Sequence, residues 1–240
     1  MAIINKFTKI LTNTINEGDK VLFLGYPHIL GEEYKEFPLK SIIDYKEFYH
    51  NDTYDGGSYF ESLGWDCDYL DIYNLNDKEI IHDLNEPLGE EHWNKYDFVV
   101  DNGTFEHIFC PGTAYRSSFD SLKVGGKLIS FCPISWLNHG FYSISPELFI
   151  SICTEMKWPV EVVGGWYLDK EWKDINRESL EQLCGSTPKV LHQRVVMGFI
   201  VEKATDERLR FPVQNKYKML DTVTNSEYNT YDDSSENSLG

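Results

Sequence analysis

A short apolar run that opens directly onto polar residues dominates the middle of this chain. The segment from Tyr96 to Phe109 begins with the apolar run Phe98 to Val100, which is typical of a strand buried on both faces. Four polar or permissive residues follow at once: Asp101, Asn102, Gly103 and Thr104. Open α/β sheets bind ligands beyond the carboxyl ends of their strands, so we expect chemistry here. The alternative interpretation is a core strand followed by a helix, with Thr104 or Asn102 as the N-cap.

Length and composition favour one globular domain. The chain has 240 residues, of which 41% are hydrophobic and 15% aromatic. No apolar run approaches ~20 residues, so we expect no membrane span. Residues Met1 to Asn5 lack the features of a secretory signal. The cysteines are odd in number and form no CxxC pair, which argues against a disulfide framework or a zinc site and predicts a reducing cytoplasm: Cys67, Cys110, Cys132, Cys153 and Cys184.

The strongly acidic balance limits the choice of partners. With 22 basic and 39 acidic residues, the formal net charge is −17. Such a charge repels phosphate groups, so we expect neither a nucleic-acid partner nor an anionic membrane surface.

Helical and strand patterns alternate along the chain. Predicted helices cover Ile3 to Ile15, Tyr59 to Leu63 and Pro111 to Leu122, and another begins after Ser145 as the N-cap. Seven segments are predicted as strands: Lys20 to Leu24, Cys67 to Tyr73, Glu79 to His82, Phe98 to Val100, Leu128 to Phe131 (ended by Cys132-Pro133), Val160 to Val163, and Arg194 to Glu202. This order predicts a mainly parallel α/β sheet flanked by helices.

The first strand is followed by a single glycine, Gly25. A strand, a glycine and a helix at the front of an α/β chain are the usual place for a nucleotide-type cofactor. Between this strand and Gly31 there is only one glycine, Gly25, where two or three are usual, which makes it a weak signature.

Two regions are set apart from the sheet pattern. Residues 31–65 are rich in aromatic residues and include a predicted turn at Asp55 to Ser58. They could form a lid or a pocket wall, or they could simply cover the sheet. We expect residues 205–240 to be a C-terminal extension, partly disordered where it becomes polar from Asn225 onward.

Four segments resemble a known family: Glu79 to Leu88, Tyr96 to Phe109, Leu122 to Lys127, and Asn138 to Phe149. The resemblance is to bacterial class I S-adenosylmethionine-dependent methyltransferases of the broad type-11-like group, and it covers roughly residues 20 to 203. It implies a domain over residues 1–204 with a Rossmann-like, seven-stranded, mainly parallel sheet. Helices would lie on both faces, and the last strand would be antiparallel.

The resemblance also implies S-adenosyl-L-methionine as the cofactor. Gly25 and Tyr26 would lie beside its methionine part. Asp71 would hold the ribose, because a carboxylate at a strand end can accept hydrogen bonds from both hydroxyls. Ile72 is a further implied cofactor contact. The other implied contacts are Asp83 and Leu84 at the adenine, and Asp101, Asn102 and Gly103 near the sulfonium. The alternative for Asp71 is a surface acid in a turn.

Methylation of a hydroxyl requires a base, and histidine is the usual base at neutral pH. His139 is the first candidate, with Tyr142 orienting the acceptor; the alternative for His139 is a surface residue or a hydrogen bond at a helix entry. Asp101 could serve as a base or as a cofactor ligand. The adjacent pair Glu106 and His107 is expected to cap a helix. The histidines and acids do not show metal-ligand spacings, so we expect no metal.

These observations favour a methyltransferase acting on a small molecule, with a hydroxyl of a sugar or a nucleotide-linked sugar as the acceptor. The alternative is a non-catalytic protein of the same fold that binds a nucleoside-type ligand or a partner without turnover. A nicotinamide-dependent oxidoreductase is disfavoured because the glycine fingerprint is missing. The aromatic surface would allow a homodimer.

Overall fold

The computed structural model describes residues 2–30, 53–74, 77–136, 138–167 and 194–218. Its strands are β1 (Ala2–Ile4), β2 (Lys20–Leu24), β3 (His28–Leu30), β4 (Thr53–Asp55), β5 (Asp66–Asp71), β6 (Glu79–Ile81), β7 (Tyr96–Asp101), β8 (Leu122–Ser135), β9 (Val160–Tyr167) and β10 (Val195–Glu202). Its α-helices are α1 (Asn5–Thr14), α2 (Gly56–Ser62), α3 (Pro111–Ser121), α4 (Pro146–Met156) and α5 (Asn215–Lys218). Single 3₁₀ turns cover Glu90–His92 and Phe105–His107.

The main sheet has seven strands in the order β6-β5-β2-β7-β8-β10-β9. The five strands from β6 to β8 are parallel, whereas β10 runs antiparallel to both β8 and β9. The predicted fold class is therefore confirmed, including the antiparallel last strand.

Both faces of the sheet are buried, because alternate residues of one strand enter different hydrophobic clusters. Leu22 and Leu24 of β2 pack with residues of α3 and α4, including Phe119 and Phe149. Val21 and Phe23 pack on the other side with residues of α1 and α2, such as Phe7, Leu11 and Phe60. Because both faces are buried, the sequences of β2 and β7 contain continuous apolar runs.

A second, three-stranded sheet has the order β1-β3-β4. Ile3 and Ile4 pair with Ile29 and Leu30 in it, so the first helix begins at Asn5 rather than at Ile3. Strands of three residues are too short to show a periodic pattern, which is why the sequence did not predict this sheet.

The expected turn at Asp55 to Ser58 is wrong. Gly56 and Gly57 open α2, and Asp55 is its N-cap, accepting a hydrogen bond from the Ser58 amide. An aspartate three residues before an exposed amide suits a cap as well as a turn.

The expected end of β8 at Cys132-Pro133 is also wrong, since this strand continues to Ser135. β7 pairs with β8 only as far as Ser130, so one side of β8 is free of β7 from there on. A proline, which has no N–H to donate, is tolerated at such an edge.

The chain after β10 packs onto the domain. Leu209 is buried in the cluster that contains Phe119 and Phe149. The Arg208 guanidinium lies 2.9 Å from the Asp120 carboxylate of α3. The described start of the predicted extension is therefore docked, while residues 31–52 of the aromatic insertion and residues 219–240 lie outside the described residues.

No helix in the described part of the chain combines the length and the apolar character needed to cross a membrane.

Candidate functional site

The carboxyl edge of the parallel strands gathers the predicted site residues. Leu24 of β2 is in register with Asp101 of β7, which is in register with Ser130 of β8. The loops that follow these strands are joined by hydrogen bonds: Thr104 Oγ1 donates to the Leu24 carbonyl over 2.6 Å. The amides of Phe141 and Tyr142 donate to the Glu106 carbonyl, over 2.8 and 3.2 Å. The loops after β2, β7 and β8 therefore meet at one edge.

Gly25, Tyr26 and Asp71 come together at the ends of β2 and β5. The Gly25 amide donates to the Leu70 carbonyl over 2.6 Å, and Gly25 has a φ of +89°, a conformation that glycine adopts without strain. The Asp71 carboxylate accepts from the Tyr26 amide over 3.1 Å and from the Tyr73 amide over 3.3 Å. Asp71 thus fixes the backbone of both loops, and its carboxylate is only partly buried.

The Tyr26 side chain points away from solvent. Its ring packs on Tyr69 with 4.8 Å between centroids, and its hydroxyl donates to Asp55 over 2.7 Å. Burial, together with this hydrogen bond, raises the pKa of Tyr26. Only the backbone of Tyr26 is therefore placed for the predicted cofactor contact.

Two glycines in the first turn of α2 pack against the loop after β2. A Cβ added to Gly56 would lie 2.8 Å from the Pro27 carbonyl oxygen. A Cβ added to Gly57 would overlap the Tyr26 hydroxyl and lie 2.7 Å from its Cζ. The loop after β2 therefore packs so closely on α2 that only glycine fits, an arrangement that a search for glycines within the loop cannot detect.

The residues predicted at the adenine differ in exposure. Asp83 is exposed, and hydrogen bonds from the backbone and side chain of Asn85 lower its pKa. Leu84 is buried in the core, whereas Ile72 is half exposed. The His82 amide donates to the Asp71 carbonyl over 3.0 Å, which places these residues beside the end of β5.

Asp101 has no exposed surface, and both of its carboxylate oxygens are occupied. One accepts from the amides of Thr104 (2.8 Å) and Phe105 (3.3 Å), and the other accepts from the Ser130 hydroxyl (2.6 Å). Burial raises the pKa of Asp101 to about 7; the charge of Glu106 adds to the rise, and the hydrogen bond from Ser130 opposes it. Asp101, rather than Thr104 or Asn102, therefore caps the turn after β7.

Glu106 lies at the centre of a cluster that the sequence did not predict. Its Oε1 is 3.4 Å from Nε2 of His139 and 3.9 Å from Nε2 of His107. The side chain is 1% exposed, and neither oxygen accepts a hydrogen bond from the described residues. The expected capping role of the Glu106–His107 pair is therefore wrong, because the carboxylate faces the two imidazoles instead of backbone amides.

The two histidines of this cluster differ in exposure: the His107 side chain is 47% exposed and the His139 side chain 24%. Trp136 stacks on the His139 ring with 3.8 Å between centroids and 13° between planes. Burial lowers the pKa of His107, and the His139 imidazole acts in the same direction, whereas the Glu106 charge raises it. Next to them, Asn102 is buried, and Gly103 has a φ of +89° and would bring an added Cβ to 2.9 Å from Glu106 Oε1.

Three exposed aromatic residues, which we call the aromatic rim, border this cluster: Phe109, Phe141 and Tyr142. The Phe109 and Phe141 rings meet edge to face with 5.9 Å between centroids. The Tyr142 hydroxyl donates to the Phe109 carbonyl over 2.9 Å, so the predicted orienting residue holds the rim together. Exposed rings beside buried polar groups are typical of a ligand site.

Comparisons with known proteins give the fold. A methyltransferase from Archaeoglobus fulgidus described as S-adenosylmethionine-dependent is 12% identical, with a TM-score of 0.51, over 82% of this chain and 92% of that one. The class I methyltransferase fold is present. Identity at this level shows the fold alone.

Two further solved structures are similar at lower scores. The 1,6-didemethyltoxoflavin-N1-methyltransferase of Burkholderia thailandensis, solved with its substrate and S-adenosylhomocysteine, is 14% identical over 82% of this chain and 77% of that one (TM-score 0.47). Phosphoethanolamine N-methyltransferase 2 of Haemonchus contortus, in complex with S-adenosyl-L-methionine, is 13% identical over 84% and 53% (TM-score 0.47). No family model and no curated protein matches the chain.

The contact between α2 and the loop after β2 predicts the effect of a single methyl group. Gly57→Ala should destabilise the protein by about 1–3 kcal/mol, because the Tyr26 ring is buried and cannot move aside. Gly112→Ala, in the first turn of α3, is the matched control. Its added Cβ would meet only Phe211 at 3.4 Å, so it should be neutral or stabilise by up to about 1 kcal/mol. Denaturant unfolding of both variants tests this, and equal stabilities would contradict the close packing.

Proposed function

We propose that this protein transfers a methyl group from S-adenosyl-L-methionine to a small-molecule acceptor, with a hydroxyl of a sugar or of a nucleotide-linked sugar as the favoured acceptor. The observation that carries the proposal is the buried Glu106 carboxylate facing His139 at the carboxyl edge of a class I methyltransferase fold. An imidazole beside a buried carboxylate can serve as a general base, because the carboxylate stabilises the imidazolium that forms.

The residues at the ends of β2 and β5 fit the cofactor. The Asp71 carboxylate lies at a strand end, where it can accept hydrogen bonds from ribose hydroxyls. The Gly25 loop lets ligand approach its backbone, since glycine carries no side chain there. When bound, the cofactor supplies an electrophilic methyl group on a sulfonium with a good leaving group. Asp83 and the exposed Ile72 are assigned to the adenine side of the cofactor.

His139 is assigned as the base. Its Nε2 faces the Glu106 carboxylate, which favours the tautomer with the proton on Nε2 and leaves Nδ1 as the acceptor. An acceptor hydroxyl would give its proton to Nδ1 while its oxygen bonds to the methyl carbon. The cofactor would supply the methyl group, with its sulfur as the leaving group. Asp101 is assigned to holding the turn that carries Glu106, because both of its oxygens are occupied.

The surroundings favour an acceptor whose methylated sugar ring is uncharged. The aromatic rim offers exposed rings on which the apolar face of a sugar can stack. The net charge of −17 disfavours polyanionic acceptors such as nucleic acids.

A non-catalytic binding role is favoured by one observation. Asp55 already caps α2, accepting from the Ser58 amide and hydroxyl and from the Tyr26 hydroxyl, so the helix end beside the Gly25 loop is occupied by the protein's own carboxylate. Cofactor binding distinguishes the two roles.

Calorimetric titration with S-adenosylmethionine and S-adenosylhomocysteine should give micromolar binding to the wild-type protein. Asp71→Ala should weaken it about 10- to 100-fold, because charge-assisted hydrogen bonds to the ribose are lost. Asp66→Ala is the matched control, since Asp66 lies at the other end of the same strand and pairs with Lys20 over 2.7 Å. It should bind normally.

No heat from folded wild-type protein would exclude the methyltransferase proposal and leave the non-catalytic one. Equal affinities for the Asp71→Ala and wild-type proteins would contradict only the role of Asp71.

The acceptor class is tested by measuring S-adenosylhomocysteine formation with neutral sugars and nucleotide-linked sugars. His139→Gln should lower kcat about 10²- to 10⁴-fold without weakening cofactor binding, because it removes the base. His92→Gln is the control: His92 lies 3.8 Å from the Glu91 carboxylate near the start of β7, at the opposite edge of the sheet, and should keep full activity. Turnover with amines alone, or full turnover by His139→Gln, would contradict the assignment.

A further inference from the structure

We propose that Glu106, His107 and His139 bind one divalent transition-metal ion at the acceptor side of the site. One carboxylate oxygen and the two imidazole nitrogens all lie within 4.8 Å of one another. The spacing of these residues predicts no metal, because 31 residues separate His107 from His139. The role of the ion in methyl transfer rests on the proposed function, whereas binding of the ion does not.

The first argument is the state of Glu106. Burying a charged carboxylate without hydrogen-bond donors is costly. Among the described residues, no donor satisfies either oxygen of this side chain. The Nε2 atoms of His139 and His107 lie 3.4 and 3.9 Å from its Oε1. A cation held between these three side chains would offset the cost of burying the charge.

The second argument is the distances. Zinc-like ions bind imidazole nitrogen and carboxylate oxygen at about 2.0–2.2 Å, so two ligands of a tetrahedral site lie about 3.3 Å apart. The Glu106–His139 separation is 3.4 Å, and the Glu106–His107 separation is 3.9 Å. A side-chain rotation that moves Nε2 of His107 by up to about one ångström would bring it to ligand distance. The His107 ring is the more exposed of the two imidazoles.

The third argument is how the ligands are held. Trp136 stacks flat on His139 and fixes its ring plane. The Glu106 carbonyl accepts the amides of Phe141 and Tyr142, which ties the loop of His139 to the turn of Glu106 and His107. A Cβ on Gly140 would lie 2.6 Å from that carbonyl oxygen, so the loop can approach this closely only with glycine there. Ligands fixed in this way suit a metal site.

The donor set indicates the class of ion. Two imidazoles and one carboxylate favour zinc, iron, cobalt or nickel over magnesium and calcium, which prefer oxygen ligands. Three protein ligands leave a position open for the acceptor. A hydroxyl bound to such an ion loses its proton more readily. If the ion is bound, Nε2 of His139 would coordinate it and the ring proton would lie on Nδ1. The ion would then replace His139 as the group that activates the hydroxyl, and the proton would pass to water.

The test is titration of the full chain with Co²⁺. The protein is produced without a polyhistidine tag, and a chelator that strips bound metal is removed before the titration. The wild-type protein should take up one equivalent and develop the visible absorption bands of nitrogen- and oxygen-coordinated Co²⁺. Glu106→Gln and His139→Gln should each lose at least about tenfold in affinity, and Zn²⁺ should displace the Co²⁺. His92→Gln is the matched control, because it removes another histidine beside a glutamate and should bind Co²⁺ as the wild type does.

Unfolding temperatures measured without metal show that each variant is folded; His139 lies in a loop, so its variant serves if Glu106→Gln does not fold. No Co²⁺ bands from folded wild-type protein, or equal uptake by all variants, would overturn the inference. Binding of S-adenosylhomocysteine is measured on the same samples. It distinguishes the absence of a metal site from the absence of the proposed methyltransferase function. Cofactor binding without metal uptake would remove only the metal site, and metal uptake without cofactor binding would remove only the methyltransferase role.

Discussion

The buried carboxylate of Asp101 joins the elements on which the site depends. It lies at the end of β7, accepts two amides of the turn that follows and accepts the Ser130 hydroxyl of β8. Glu106 and His107 lie in that turn. The backbone carbonyl of Glu106 accepts hydrogen bonds from two amides of the loop that carries His139. The positions of all three cluster residues therefore depend on a single buried carboxyl group.

This arrangement is stable only because the sheet around it is apolar on both faces. Val99 and Val100 pack into opposite hydrophobic clusters, and neither is exposed. Strands buried on both faces can hold polar groups only where they end, since a polar group farther inside would lack partners. The chemistry is thus confined to the carboxyl edge, where Asp71 ends β5, Asp101 ends β7 and Glu106 lies in the turn after β7.

Much of the fold could be predicted from the sequence because its strands are continuous apolar runs. β2 was predicted at its observed bounds, and β7 and β10 within two residues. The small sheet could not be predicted, because its strands have three residues each and depend on pairing between β1 and β3. The extension of β8 past Pro133 depends on where β7 ends, which is a tertiary fact.

The site was less predictable than the fold. The sequence pointed to the loops after β2, β5, β7 and β8, and the structure brings these loops to one edge. It did not show that Glu106 would be buried beneath His139, because the two residues are distant in sequence and meet only through hydrogen bonds of the Glu106 carbonyl. The sequence signal for this cluster was an adjacent Glu–His pair after one strand and a histidine after the next strand.

A crystal structure of the full chain grown with S-adenosylhomocysteine tests the central claim most directly. The account predicts the ligand at the carboxyl ends of β2 and β5, with its ribose hydroxyls within hydrogen-bond distance of Asp71 and its sulfur directed toward His139. A ligand bound elsewhere on the protein would contradict the account. So would an edge without ligand in crystals grown at saturating concentration.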